Sequence, residues 1–286
     1  MAIYRRGYQR YQGPCTPRLM RLLAFPRFSW RRMVNQRLVV IVLIVSLFWP
    51  LACACFVYLS NHTELLQGFG GPLLGFLNIK GTFFLTFMGV QSFFAVLLAA
   101  LAGPGLVAPD LANNALPLYF SRPLSRLDYV LARLLVLAGL LALVTWIPGL
   151  LLFGIQVGMA GWSWLAANWT LGAAVFAGFF LWSLLLGLVA MASSAYVRWR
   201  IIAGALVLAF FFVLSGAAQL IKEVTGAEWA LAIDPGEAML RIWSVMLGVE
   251  LKPGPGALEC AVSLGVMTIL LCWVLERKLR PVEVVS

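Results

Sequence analysis

Between Leu134 and Val197 the chain runs for sixty-four residues without a single charged side chain. No water-facing surface can be built from such a stretch, and one crossing of a hydrocarbon core about 30 Å thick takes only about 20 residues. The stretch therefore reads as two crossings joined by a tight turn. The turn is placed at Gly158–Trp169, where Trp162, Trp164 and Trp169 cluster, because an indole at a membrane boundary can bury its ring and keep its N–H wet. The whole chain has the same bias: 62% of residues are hydrophobic, 11% are charged, and mean hydropathy is +0.94. A soluble domain carries about a quarter of its residues charged, so lipid must cover this one. The fold class expected is an all-α integral membrane protein.

Taken in order, residues 1–37 form a basic arm and 38–60 a first span, which Pro50 should kink; 61–81 is an outer loop and 82–103 a second span. The Gly103-Pro104-Gly105 sequence is expected to break the helix, opening a cytoplasmic segment over 104–129, with one short helix beginning at Pro109 and covering 110–118. A third span over 130–156, the outer tryptophan-rich turn at 157–169 and a fourth span over 170–196 follow. A short loop at 197–200 leads to a fifth span over 201–220, an outer segment at 221–259, a sixth span over 260–276 and a tail at 277–286. Within the acidic outer segment, residues 238–251 are partly amphipathic and are expected along the surface.

The arm contains nine arginines and no acid. Leu19, Leu22 and Leu23, then Trp30, Met33 and Val34, recur at helical spacing between them, the pattern of an amphipathic helix lying in the headgroup plane; Pro26 should divide it. The arm is too long for a cleaved signal, so it reads as a retained anchor. With both termini inside, the arm, the 104–129 segment with Arg133, the pair Arg198 and Arg200, and the tail hold seventeen of the 21 basic residues. Lys80, Lys222, Arg241 and Lys252 alone fall outside. Positive residues accumulate in cytoplasmic loops, which puts six spans in the membrane with both ends in the cytoplasm. The net charge of +10, which in a soluble chain would point to nucleic acid, is here placed to meet anionic lipid; no nucleic-acid partner is expected.

Chemistry within the chain is sparse. No Gly-x-x-x-x-Gly-Lys-Ser/Thr motif is present, so nucleotide hydrolysis would fall to another subunit. Ser193, Ser194 and Ser215 lie in spans, but the single histidine, His62, lies in an outer loop, and an enzyme is not expected. Apart from Glu276, which marks the boundary of the sixth span, no Asp, Glu or His falls within the six spans, which weighs against an ion-coupled carrier. Cys15, Cys53, Cys55, Cys260 and Cys272 form neither a disulfide framework nor a metal site, and no cofactor is called for. The polar island Pro109–Arg133, with Asp110, Arg122, Arg126, Asp128 and Arg133, stands out between two uncharged blocks.

Its text at Ser121–Arg133, Ser-Arg-Pro-Leu-Ser-Arg-Leu-Asp-Tyr-Val-Leu-Ala-Arg, resembles the cytoplasmic coupling segment of ABC-2 type transporter permeases. That segment reads leucine-rich, then Pro-Ile/Val-Ser-Arg, an aromatic or apolar residue, and Lys or Arg as the next span begins. The arm, the six spans and the larger outer segment between spans five and six fall in the same order as in that family. Asp110 takes the place of a Glu in a Glu-Arg/Lys-Glu cluster, and Asn113-Asn114 lie near the usual Gly-Thr. The resemblance implies the membrane subunit of an ATP-driven exporter in a bacterial inner or plasma membrane. Its partners would be a separate ATPase subunit, a second copy or a homologous permease, and membrane lipid. Leu116, Leu118, Tyr119, Phe120 and Leu124 would then supply apolar contact with the ATPase, with Arg122 and Arg126 as polar anchors and Pro123 fixing the bend, and Ser125 and Asp128 would belong to the same coupling segment. The absence of a polar cluster in the spans favours a lipid-like or amphipathic cargo. A non-transport membrane scaffold and an ATP-independent carrier are the alternatives.

The distribution of basic residues makes topology measurable. In single-cysteine variants, sites at Arg122, Arg198 and Arg280 should be labelled only from the cytoplasm, and a site at Asp234 only from outside. Outside labelling at Arg122 would invert the arrangement.

Overall fold

The computed structural model describes Trp30 and residues 33–62, 79–113, 126–197, 199–250 and 253–278. Among these residues all regular structure is helical. The helices are α1 (Arg37–Asn61), α2 (Gly81–Ala102), α3 (Pro104–Ala112), α4 (Arg126–Ala142), α5 (Trp146–Ala160), α6 (Trp162–Tyr196), α7 (Arg200–Thr225), α8 (Pro235–Met246) and α9 (Ala257–Lys278), with a 3₁₀ turn at Glu228–Ile233. Five stretches are long and apolar enough to cross a membrane, and the bent pair α4–α5 makes a sixth if counted as one crossing.

The centre of the bundle is α6. Its apolar residues lie on every side, and small ones (Gly172, Ala174, Gly178, Gly187, Ala190, Ala192) are spread along it, so neighbouring helices can approach from all directions. It touches every other helix except α1, which packs on α2 and α5 instead. Its most hydrophobic stretch is 72% buried, against 17% in both α7 and α9. The outer helices expose Ile201, Phe212, Val213, Leu258 and Ile269, an apolar surface that lipid can cover and water cannot.

Contacts between helix ends fix the alternation. Arg200, starting α7, reaches Gln36 before α1 and the Leu101 carbonyl at the end of α2. Lys278, ending α9, lies over the ring of Tyr196, ending α6. At the opposite end Asn61 Nδ2 donates to Gln156 Oε1 at 2.8 Å, joining the ends of α1 and α5. Successive long elements thus run in opposite directions, and the start of α1 and the end of α9 share one end of the bundle.

Three local expectations are corrected. Gly103 is helical (φ −56°, ψ −49°), and α2 and α3 run together as a 30-residue apolar rod over Gly81–Asp110, so the break expected at Gly103-Pro104-Gly105 does not occur; of the short helix expected over 110–118, residues 114–118 lie outside the described residues. Proline is tolerated in the first turn of a helix, and partners from other helices meet the backbone groups it disturbs. The third span is not one straight helix: it bends by 40° between Ala142 and Trp146. Pro148 has no N–H to offer the preceding turn, while the Val144 and Thr145 N–H groups and the Thr145 hydroxyl all donate to the Leu141 carbonyl. The tryptophan-rich stretch is helix on both sides of Gly161, whose φ of 85° breaks it, and it kinks again at Asn168 (φ −127°, ψ 15°) inside α6; Trp162 and Trp169 stay exposed at that end.

Helix α8 is the fourth departure. Asp234 caps it, its carboxylate accepting from the Gly236 N–H at 2.8 Å, and Pro235 starts it. It does not lie along the surface: Ala238, Met239, Trp243 and Ser244 are buried against α2, α6 and α9. Trp243 packs on Phe179 and Trp182, with ring centroids 5.7 and 6.0 Å away. An amphipathic helix that carries Met and Trp on one face gains more by burying that face against protein, and Arg241 is served by Glu237 one turn earlier at 2.9 Å.

Glycine spacing allows a sign test of the packing. A Cβ on Gly204 would lie 2.6 Å from the Ala100 carbonyl oxygen, a backbone atom that cannot swing aside, whereas one on Gly216 meets nothing within 4 Å. Gly204→Ala should lower stability by about 1–3 kcal/mol, and Gly216→Ala should leave it unchanged or raise it by up to about 1 kcal/mol. Thermal unfolding in detergent micelles separates the two.

Candidate functional site

The proline positions that end the second span leave backbone groups in need of partners, and meeting that need assembles the polar end of the bundle. Pro104 has no N–H for the Ala100 carbonyl, and Gly204 of α7 packs its Cα against that oxygen. Arg200, one turn earlier on α7, donates from Nη2 to the Leu101 carbonyl at 3.0 Å and to Gln36 Oε1. Ser194 of α6 accepts from the Ala108 N–H at 2.8 Å and donates to the Pro104 carbonyl at 3.2 Å, bridging the two ends of one turn of α3. Two helices, α6 and α7, thereby hold the junction of α2 and α3 in place.

From α3 the side chain of Asp110 reaches across to α4. Its Oδ2 accepts from the Tyr129 hydroxyl at 2.7 Å and from Arg133 Nη2, and the Arg133 guanidinium also lies 5.3 Å from the centre of the Tyr129 ring. Both members of the Asp110–Arg133 ion pair are largely withdrawn from solvent, with side-chain exposures of 14% and 9%. One carboxylate therefore ties together the two helices that flank residues 114–125. On its other side α4 receives Trp30 from the arm. The indole Nε1 donates to the Val136 carbonyl at 3.0 Å, and the ring fills the space that a Cβ on Gly139 would need.

Of the residues expected to couple to an ATPase, Leu116, Leu118, Tyr119, Phe120, Arg122, Pro123, Leu124 and Ser125 lie outside the described residues. Arg126 opens α4. Asp128 is buried within α4, not set in a water-facing loop, because the helix begins before the expected span does. Arg133, expected to close the island, is likewise buried. The expectation that no acid falls within the spans is therefore corrected, since Asp110 ends one membrane-length helix and Asp128 lies in the first turn of the next. At the described end of the arm Met33 is buried and Trp30 binds α4, while Val34 remains exposed; the rest of the arm, up to residue 29 together with 31 and 32, lies outside the described residues.

Sequence reasoning singled out Asp110 and Arg133 separately and missed their pairing with Tyr129. Twenty-three residues separate the ion pair, and no periodicity links positions on two helices. Mechanically the arrangement is a brace between α3 and α4. A separate cleft of about 400 Å³ opens between α1 and α2, with Trp49, Phe56 and Phe83 beside Thr82 and Thr86. No family model and no curated protein matches the chain.

Removing one member of a buried ion pair strands the other and costs about 3–5 kcal/mol. Asp110→Ala and Arg133→Ala should each destabilise the detergent-solubilised chain by about that much at most. The double variant should lose clearly less than the sum of the two, as required of residues in direct contact. Additive losses in thermal unfolding would mean that the pair does not act as a unit.

Proposed function

We propose that the chain is the membrane-spanning subunit of an ATP-driven exporter of the ABC-2 type, with six crossings, both termini in the cytoplasm and a separate ATPase docking on the segment between α3 and α4. The observation that carries this reading is the place of the Pro-Leu-Ser-Arg text. It joins two helices that Asp110 braces to each other, at the end of the bundle where Arg37, Arg133, Arg200, Arg277 and Lys278 gather. Positive residues mark the cytoplasmic side, which is where an ATPase can dock. A subunit with no nucleotide-binding motif of its own needs such a contact, and a stiff base allows docking and release to be passed into the membrane.

On this reading the permease works with a second copy or a homologue, and the cargo is lipid-like or amphipathic. The α1–α2 cleft, aromatic with two threonines in its wall, suits such a molecule: rings bury the apolar part, and the few polar groups orient the rest.

The docking segment carries the test. Leu124→Asp places a charge in the contact, and loss of a central interface residue costs about 2 kcal/mol or more, over tenfold in affinity. The variant should be expressed and inserted normally but should lose co-purification of a co-expressed ATPase subunit at least tenfold. Glu283→Lys in the tail should lose none. Equal retention by both variants removes the coupling role, and function of the isolated chain without any ATPase would favour a scaffold or an ATP-independent carrier.

A further inference from the structure

Helices α6, α7 and α9 do not close on one another. Between them runs a groove of about 370 Å³ lined by Val189, Ala192 and Tyr196 of α6, Ala209 and Phe210 of α7, and Val274 of α9. Ligand sites are typically roughly 300–1,000 Å³, so the groove is small but within range. Its wall is apolar, and the hydroxyl of Ser193, which also borders it, is satisfied by the Val189 carbonyl at 2.8 Å. From Tyr196 to Val189 it penetrates about 10 Å along α6, at 1.5 Å per residue. An unfilled groove of this kind forfeits dispersion contacts along its whole lining, and in a membrane a flexible hydrocarbon chain is the natural filler.

The mouth of the groove is charged. Tyr196 lines the groove and also lies beneath Lys278, whose Nζ is 5.1 Å from the centre of its ring. Arg277, the neighbouring residue, stacks over Trp273 at 4.0 Å. Both aromatic–cation pairs hold a positive head at the end of the membrane-length helix, with the stem along apolar surface. The acid on the same helix end, Glu276, lies about 160° around the axis from Lys278 at 3.6 residues per turn, on the far side from the groove. Lys278 instead shares its face with Leu271 and Val274, which line the groove. An apolar channel that ends beneath Lys278, with Arg277 next to it at the same helix end, matches a molecule with a long hydrocarbon tail and an anionic head.

We propose that this groove is a binding site for an anionic phospholipid, one acyl chain lying between α6, α7 and α9 and the phosphate held by Lys278 and Arg277. The site requires only that the chain reside in a membrane, and it stands or falls independently of any ATPase.

Native mass spectrometry of the full chain tests it, with dioleoyl phosphatidylglycerol and dioleoyl phosphatidylcholine titrated into detergent-solubilised protein. The wild-type chain should retain one phosphatidylglycerol in clear preference to phosphatidylcholine. Each cation near an anionic head contributes about fivefold in affinity, so Arg277→Gln with Lys278→Gln should cut the preference by about thirtyfold. Both residues are exposed, so the change should not disturb the fold. Ala209→Phe fills the groove and should abolish tight retention of either lipid. The proposal is overturned if the wild type holds both lipids equally or if the double variant keeps its preference. It is also overturned if Ala209→Phe alters the oligomeric state while lipid retention is unchanged, which would make a second copy the occupant.

Discussion

A hydrocarbon medium offers no hydrogen bonds, so every backbone group that a helix leaves open must find a partner within the protein. This chain opens its helices at proline twice near functional ground, and the answers it finds build the structure. At Pro104 the partners are Arg200, Ser194 and the bare Cα of Gly204, and they draw α6 and α7 onto the end of the second span. Near Pro148 the partners are local: Val144, Thr145 and its hydroxyl crowd onto the Leu141 carbonyl, so the result is a bend and not a junction. The same chemical need thus gives a meeting point of helices in one place and a simple change of direction in the other. What differs is whether a polar side chain from elsewhere stands within reach.

The meeting point gives the Asp110 brace its footing. Asp110 can hold Tyr129 and Arg133 only because α3 is itself immobilised by α6 and α7. The central position of α6 extends this framework: α6 contacts both α3 and α4 directly and touches nearly every other helix. The outer helices α7 and α9 stand apart, with long exposed apolar faces, and the charge at the end of α9 is held on aromatic rings instead of on acids. The bundle therefore has a stiff, protein-packed side and a lipid-facing side.

The crossings were legible in the sequence because hydropathy is a property of one segment at a time: sixty-four uncharged residues cannot be anything but membrane-bound. The departures all involve partners distant in sequence. Gly103-Pro104-Gly105 reads as a break, and it is repaired by residues about ninety positions away. Helix α8 carries its polar and apolar residues as a surface helix would, and Trp182 and Phe179, which receive its tryptophan, lie some sixty residues earlier. Asp128 and Arg133 read as loop charges by their neighbours in sequence, yet the folded bundle buries them. The expected coupling residues themselves, apart from Arg126 and Asp128, lie outside the described residues, so what the structure adds to them is the frame on which they are mounted.

The way the arm joins the bundle has a consequence of its own. Its described end is fastened by a neutral indole N–H on the Val136 carbonyl and by the buried side chain of Met33, neither of which carries charge. Ionic strength screens exposed charges over about 10 Å at 0.1 M, but it has no charge to screen in a half-buried neutral hydrogen bond and an apolar contact. The joint beside α4 therefore keeps its hold in both high and low salt.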